Sequence, residues 1–236
     1  MLPVLFGPRD GRLFGVFHGA TGAARGEGIV LCQPIGHEYI RAHRTFRQVA
    51  VQLAEAGFPV MRFDYFGCGD SSGDGADGSV PRWIADVHAA IDELRETAGV
   101  STVSLVALRL GASIAMLAAA SRPDVRRVVL WDPVLDGRAY LAELRTLQRR
   151  WLKGRPGSRW FAFNARGTEL IGYPVPPPLR RDIEGIDLRA EQQDARRVRV
   201  LPSTGGDWDV PAQVHNGLNV PGIGGRLNGL LTEAFA

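Results

Sequence analysis

The stretch from Ser101 to Ser121, STVSLVALRLGASIAMLAAAS, constrains the fold more than any other part of this chain. Its first half, residues 102–108, is a short β-branched and leucine-rich run, which is typical of a fully buried parallel strand. Its second half, residues 110–120, is rich in alanine and predicts a helix that packs closely on a sheet. A buried strand that turns sharply into such a helix indicates an α/β protein.

The turn between the two halves, residues 107–111 (ALRLG), has Arg109 at its centre. Small residues around a sharp strand-to-helix turn are the setting of a G-x-S-x-G nucleophile elbow, whose central side chain projects from the sheet. A guanidinium cannot act as that nucleophile, because it stays protonated. It adds a charge to a helix N-terminus that already favours anions. Two interpretations stay open: a clamp for a ligand carboxylate or phosphate, or an internal salt bridge to Asp64, Asp132 or Asp207.

The remaining pattern alternates strands and helices, which predicts a mostly parallel central sheet with helices on both faces. A hairpin opens the chain. The predicted elements are strands at Leu2–Phe6, Leu13–His18, Gly28–Cys32, Phe58–Phe63, Arg126–Trp131 and Arg197–Leu201, and helices at Ile40–Ala56, Val80–Thr97 and Asp136–Leu152. We expect one domain over residues 1–236, since α/β folds of this length need not split.

Residues 135–195 interrupt the alternation and predict a cap or lid inserted over the strand ends. Two short apolar helical pieces are expected within it, separated by a Pro-Val-Pro-Pro-Pro run. A glycine-interrupted helix from about Ile223 is predicted to close the chain.

Composition narrows the function classes. No apolar run reaches the ~18 residues of a membrane span, and the N-terminus lacks the basic start of a signal peptide. Only two cysteines are present, without metal-ligand spacing, so we expect a reduced cytoplasmic setting with no metal and no cofactor. The net charge is +3, but the arginines are spread along the chain and no nucleic-acid-binding motif is present, so we expect no nucleic-acid partner. A homodimer stays open.

In open α/β sheets the site lies at the carboxyl ends of the strands. We therefore expect five segments to meet at this edge of the sheet: residues 33–38, residues 64–71, Arg109, Asp132 and residues 203–215.

Four segments, LCQPIGHEY, FDYFGCGDSSGD, ALRLGAS and LWDPVLDGRAYL, resemble the α/β-hydrolase superfamily in its serine aminopeptidase (S33)-like branch. Within that branch they are most similar to the hydrolase group associated with bacterial exosortase A systems. The likeness extends well over residues 28–144 and loosely beyond. It implies an α/β-hydrolase fold and a small acyl, ester or amide substrate.

The resemblance also implies site residues by position. Arg109 stands in the nucleophile slot, and the Leu110 N–H is one oxyanion donor. The segment from Gln33 to Gly36 supplies the second donor. The implied acid is Asp207 or Asp209 and the implied base is His215, which are separated by only a short loop, so the C-terminal unit is shortened relative to the family.

Other side chains were weighed for the same site. Ser113 lies one turn too far into its helix, and we expect its hydroxyl to bond a backbone carbonyl. Cys68 is a secondary candidate at the correct sheet edge, although the sequence shows no basic partner for its thiol. Cys32 ends a buried strand and is expected in the core. His37 and Glu38 either orient substrate or water or cap the following helix.

Three further expectations have structural alternatives. Asp70 is expected to hold the GCGDS turn through backbone hydrogen bonds. Asp132 is expected to neutralise Arg109. Aromatic side chains of the cap either line an apolar pocket or pack the cap on the domain: Trp160, Phe161, Phe163 and Tyr173.

Two function hypotheses follow. The first is an enzyme in which water, activated by His215, attacks an acyl, ester or amide substrate while Arg109 and backbone donors stabilise negative charge. The second is a non-catalytic relative that binds an anionic ligand or a protein partner in the same cleft. Fold alone does not choose between them.

Overall fold

The computed structural model describes residues 1–153, 168–189 and 198–201. Its strands are β1 Leu2–Phe6, β2 Leu13–His18, β3 Glu27–Cys32, β4 Val60–Phe63, β5 Thr102–Leu108, β6 Val125–Trp131, β7 Glu169–Leu170, β8 Tyr173–Pro174 and β9 Val198–Leu201. Its α-helices are α1 His37–Glu55, α2 Val80–Ala98, α3 Leu110–Ala119, α4 Gly137–Leu152 and α5 Pro177–Glu184, and a 3-10 turn covers Gly75–Asp77.

Seven strands form the central sheet in the order β1-β2-β4-β3-β5-β6-β9. The five strands from β4 to β9 run parallel, while β1 and β2 are antiparallel at one edge. The carboxyl ends of the parallel strands therefore meet at one edge, where the site is expected in this kind of sheet. The predicted α/β class and mostly parallel sheet are confirmed.

Helices cover both faces of the sheet. On one face, α1 packs Phe46, Val49 and Leu53 against alternate strand residues such as Ile29 and Val106. On the other face, α2 and α3 form the larger core; their buried apolar residues include Trp83, Val87, Ile91, Leu94 and Ile114. Strand residues alternate between the two clusters because successive side chains of a strand point to opposite faces.

Two predicted boundaries were wrong by a few residues. The first helix begins at His37 rather than Ile40, because Gly36 serves as its N-cap in a left-handed conformation (φ 71°) and its carbonyl accepts the Tyr39 N–H. The fourth strand begins at Val60 rather than Phe58, because the Phe58 N–H is bonded to the Leu53 carbonyl at the end of α1.

The described part of the predicted cap contains α4, the β7–β8 hairpin and α5. Residues 169–174 form this hairpin, and α5 begins within the proline run. Residues 154–167, the rest of the segment in which the other helical piece is predicted, lie outside the described residues. The two turn residues of the hairpin, Ile171 and Gly172, both have positive φ, at 52° and 80°. That backbone twist matches a two-residue hairpin. The predicted helix from Ile223 lies outside the described residues.

Two facts about the described residues bear on function. None of their helices combines the length and the apolar character that crossing a membrane requires. Nor do the described ranges hold a cluster of three or more His, Cys, Asp or Glu side chains arranged to bind a metal ion.

Candidate functional site

The turn from β5 to α3 has strained backbone at its central residue. Arg109 has φ 52° and ψ −125°, a conformation that non-glycine residues rarely adopt. Backbone bonds hold it there: its N–H donates to Trp131 O at 3.1 Å, and its carbonyl accepts the Val134 N–H at 3.3 Å. Gly111 is required beside it, since a Cβ there would lie 2.1 Å from the Gln33 carbonyl oxygen. The sharp turn predicted from residues 107–111 is therefore present.

Three carboxylates surround the Arg109 guanidinium. Its Nε lies 2.8 Å from Glu38 Oε1, one terminal nitrogen lies 2.8 Å from Glu143 Oε1, and the other lies 3.5 Å from Asp132 Oδ2. The partners come from α1, α4 and the loop after β6, so the arginine joins three separate parts of the chain. We call Arg109, Glu38, Asp132, Tyr140 and Glu143 the elbow cluster.

The centre of the elbow cluster is buried. The Glu38 side chain is 1% exposed and that of Arg109 is 8% exposed. The Tyr140 hydroxyl donates to Glu38 Oε2 at 3.1 Å, and its ring lies 5.4 Å from the guanidinium carbon. Both oxygens of Glu38 thus have donors, as a buried carboxylate requires.

Burial and charge act in opposite directions on this pair. Burial raises the pKa of Glu38, and the charge and hydrogen bond of Arg109, with the Tyr140 hydroxyl, oppose that rise. Burial alone would lower the pKa of Arg109, but Glu38 and Glu143 more than offset this effect and raise it. The guanidinium therefore stays charged, and its charge is compensated inside the protein.

The geometry distinguishes the two interpretations of Arg109. The guanidinium lies in an internal salt bridge, and the predicted contact with Asp132 is present, although it is the longest of the three. The prediction of Asp64 as partner was wrong, because that carboxylate is engaged elsewhere. Asp207 lies outside the described residues. One cation faces three carboxylates here, so an added anion would meet an excess of negative charge.

Asp64, at the end of β4, organises the neighbouring GCGDS loop. One oxygen accepts the Tyr39 hydroxyl at 2.9 Å and the Gln33 side-chain amide at 3.3 Å. The other accepts the Asp70 N–H at 3.1 Å. A Cβ on Gly69 would lie 2.2 Å from that oxygen, so the loop needs glycine there. The bonds expected from the Asp70 carboxylate are thus made by Asp64, and Asp70 contributes its backbone N–H.

Two cavities lie between the sheet edge and the β7–β8 hairpin with α5, and the smaller one is lined in part by Tyr140 of the elbow cluster. The larger one, of about 140 Å³, is lined by Ile35, Gly36, Tyr39, Gly67, Cys68, Gly69, Gly75, Trp83, Tyr173, Pro174 and Leu179. The smaller one, of about 40 Å³, shares several of these residues and adds His37, Leu110, Tyr140, Leu141, Leu144, Leu170, Val175 and Ile183. Both walls are mainly apolar, and Arg109 lines neither cavity.

The smaller cavity brings together three residues that the sequence assigned to the site: Gly36, His37 and Leu110. Leu110 is the first residue of α3, so its N–H has no partner within the helix. Burial, with the nearby charges of Arg41 and Arg109, lowers the pKa of His37 to about 4. Its imidazole is therefore neutral at neutral pH. Gln33 lines neither cavity; its side-chain amide donates to Phe63 O and to Asp64, and its backbone carbonyl oxygen lies close to Gly111 beside the turn.

The other nucleophile candidates are held in unreactive surroundings. The Ser113 hydroxyl donates to Val134 O at 2.5 Å, which confirms its predicted bond to a backbone carbonyl. Cys68 lines the larger cavity, but burial, followed by the charges of Asp64 and Asp86, raises its pKa to about 12. Cys32 is fully buried in the core, as expected. Neither thiol ionises at neutral pH.

Several predicted residues cannot be placed. Asp207, Asp209 and His215 lie outside the described residues, as do Trp160, Phe161 and Phe163 of the cap. Tyr173, the fourth cap aromatic, lines both cavities.

Sequence reasoning missed part of the elbow cluster. Glu38 was expected to orient substrate or cap α1, and its role as the buried partner of Arg109 was not foreseen. Tyr140 and Glu143 were not singled out at all. Their spacing of three residues on a predicted helix places both on one face, which is the signal that could have paired them.

Comparisons with known proteins agree with this architecture. The profile of the family described as serine aminopeptidase, S33, matches residues 34–167, which is more than half of the chain. A search among curated proteins found no significant match.

Solved structures share the fold at low sequence identity. An esterase from Pyrococcus furiosus aligns with a TM-score of 0.58 and 16% identity, covering 84% of this chain and 68% of its own. A protein of unknown function from Agrobacterium tumefaciens, assigned to the α/β-hydrolases, aligns with a TM-score of 0.59 and 17% identity, covering 99% and 96%. The family profile, which begins just after β3 and includes the elbow turn, decides the assignment: this chain belongs to the serine aminopeptidase S33 family of α/β-hydrolases.

Proposed function

We propose that this chain is a binding member of its hydrolase family, which holds a small uncharged ligand beneath the cap and forms no serine acyl-enzyme. The observation that carries the proposal is the elbow cluster. Arg109 stands at the turn where the family's elbow motif has its nucleophile, and three carboxylates bind its guanidinium. The side chain at this turn therefore ties the sheet to α1 and to the cap.

The lining of the two cavities supports an uncharged ligand. His37 is neutral at neutral pH and the Cys68 thiol is protonated, and no Asp, Glu, Lys or Arg lines either cavity within the described ranges. Moving an ionised group from water into such surroundings without a partner is costly. The cavities thus favour an uncharged group over the anionic ligand that the sequence suggested.

The size of the larger cavity limits the ligand. A cavity of about 140 Å³ is close to the ~150 Å³ of an apolar protein cavity that binds benzene. We therefore expect an occupant the size of one aromatic ring or a short acyl chain.

A second candidate function rests on a separate observation. Gly36, His37 and Leu110 line the same small cavity, so the oxyanion donors implied by the family would border a bound carbonyl group. In that case the chain would hydrolyse a small acyl, ester or amide substrate with an activated water, using His215 as base and Asp207 as its partner. Arg109 would then act only through the structure of the turn.

Narrower assignments belong to the same proposal. The ALRLG and GCGDS segments support membership of the exosortase A-associated group, and with it a bacterial protein, while the two cysteines without metal-ligand spacing support a cytoplasmic setting. A homodimer stays open.

One experiment separates the two functions. The purified chain is treated with a fluorophosphonate probe and assayed with p-nitrophenyl butyrate, alongside Ser113→Ala and His215→Ala, while thermal shifts are measured with methyl butyrate and with butyrate. The binding function predicts no labelling, no turnover above buffer, and stabilisation by the ester but not by the anion. Turnover that is lost in His215→Ala would establish the hydrolase instead, and stoichiometric labelling lost in Ser113→Ala would contradict both.

A further inference from the structure

The smaller cavity has few polar side chains, and their partners differ. Trp83 donates its ring N–H to Phe66 O at 3.1 Å, and the Tyr140 hydroxyl is bonded to Glu38. For His37 and Tyr173, no hydrogen bond joins the side chain to another residue in the parts of the chain that the structure describes. These two side chains are therefore available to a ligand.

Of the two, His37 has the more constrained chemistry. It is the first residue of α1, follows the left-handed Gly36, and lines the smaller cavity together with Leu110. Burial, with the charges of Arg41 and Arg109, keeps the ring neutral. A neutral imidazole carries one N–H donor and one acceptor nitrogen, so it pairs with an uncharged hydroxyl or carbonyl oxygen. Tyr173 lies in the cap hairpin and lines both cavities.

We propose that His37 is the polar recognition point of the cavity, so that the ligand is an apolar body of one-ring size bearing a single uncharged oxygen. The inference rests on the proposed function, because it names the chemical class that the same cavity accepts. The inference also gives the ligand an orientation. Its apolar body fills the larger cavity, and its oxygen points toward His37 in the smaller one.

Desolvation favours an uncharged version of this ligand. No Asp, Glu, Lys or Arg lines either cavity among the described residues. Two cations act on His37, Arg41 and Arg109, and three carboxylates already bind Arg109. Moving an ionised oxygen into such surroundings without a partner is costly. An uncharged oxygen avoids that cost and still forms the hydrogen bond.

The test uses three probes of nearly equal size: phenol, toluene and benzoate. Dissociation constants are measured by calorimetry at pH 7 for the full chain and for His37→Phe, His37→Gln and Tyr173→Phe. We expect phenol to bind about fivefold more tightly than toluene, the size expected of one net hydrogen bond, and benzoate to bind more weakly than both. His37→Phe should remove the preference for phenol, and His37→Gln, which keeps a donor and an acceptor, should restore part of it.

The outcomes separate this inference from the proposed function. Equal affinities for phenol and toluene in the unmodified chain, or a preference lost in Tyr173→Phe but kept in His37→Phe, would overturn the role of His37 and leave the binding function standing. Failure of both phenol and toluene to bind would overturn the binding function and this inference with it. The preference kept in Tyr173→Phe and lost in His37→Phe would support the inference.

Discussion

The elbow cluster and the cavities beside it share one edge of the sheet but have opposite chemistry. The cluster is charged and buried at its centre, and its three carboxylates all contact Arg109. The cavities are mainly apolar and contain no ionised side chain among the described residues that line them. The difference teaches that charge at this edge stabilises the fold, so the proposed ligand would have to be recognised through shape and weakly polar groups.

This division of roles follows from burial. An arginine and a glutamate removed from water are costly unless each is paired and hydrogen-bonded. The pairing of Glu38 with both Arg109 and Tyr140 meets that requirement and fastens α4, the first helix of the cap region, to α1. The cavities need no such compensation, because their walls are formed mostly by uncharged side chains.

The largest expected effect comes from removing the cation. Arg109→Ala leaves Glu38 buried without its charged partner, and such a loss lowers the free energy of unfolding by about 3–5 kcal/mol. Chemical denaturation at pH 7 measures this change in the free energy of unfolding. Arg145→Ala is the matched control, because its contact with Glu184 is 3.7 Å long and exposed on both sides, and we expect a change within about 1 kcal/mol. Equal losses of stability in Arg109→Ala and Arg145→Ala would contradict the claim that the charges of the elbow cluster hold the fold together.

Acid should lower the free energy of unfolding through protonation of His37. Its folded-state pKa, about 4, lies below the ordinary 6.5, so the folded protein binds fewer protons than the unfolded chain. The stabilisation from the neutral ring is complete above pH 6.5 and is lost as pH falls through 4. We expect His37→Gln to reduce the loss of unfolding free energy across this interval by about 3 kcal/mol, measured by denaturation at several pH values. Parallel pH profiles for the two proteins would show that the ring is not desolvated.

A smaller effect is expected from Tyr140→Phe. The variant keeps the ring over Arg109 and removes only the hydroxyl that donates to Glu38, so the free energy of unfolding should fall by about 1.5 kcal/mol, as for a hydrogen bond to a charged group. Thermal and chemical denaturation measure the change. No loss of stability would mean that Glu38 does not need its second donor.

The smallest expected effect is that of Ser113→Ala. The buried Ser113 hydroxyl donates to Val134 O, so removing it should lower the free energy of unfolding by about 1 kcal/mol. Ligand affinity should not change. Calorimetric titration with phenol beside a denaturation curve tests both parts. A change in affinity would place Ser113 in the binding region after all.

Much of the fold was predictable because local signals agreed with it. The β-branched run at residues 102–108, the alanine-rich helix after it and Gly111 in the first turn of that helix all point to the same strand-turn-helix unit. The partners of Arg109 were harder to predict. Glu38, Asp132 and Glu143 lie 71, 23 and 34 residues away from it in the chain, and only the packing of α1 and α4 brings them to one guanidinium.

The cavities illustrate the same limit. Their walls combine residues from the loops after β3 and β4, from α2 and from the cap, and no single segment of sequence carries a pattern for that combination. Strand order placed the segment of residues 33–38 at the site and the family resemblance singled out Gly36, which shows that topology predicts the edge but not which side chains share an enclosed space there.

The most direct test of the central claim, that Arg109 is an internal structural tie, is a double-mutant cycle on Arg109 and Glu38. Unfolding free energies are measured for Arg109→Met, for Glu38→Leu and for the two changes combined. Arg109→Met leaves Glu38 buried without its cation, whereas Glu38→Leu leaves Arg109 with the more exposed Glu143 and Asp132. We therefore predict that the double variant is more stable than Arg109→Met by about 2 kcal/mol or more. Small and additive effects would contradict the account, since they would mean that Arg109 has no internal partner and is free to bind a ligand anion.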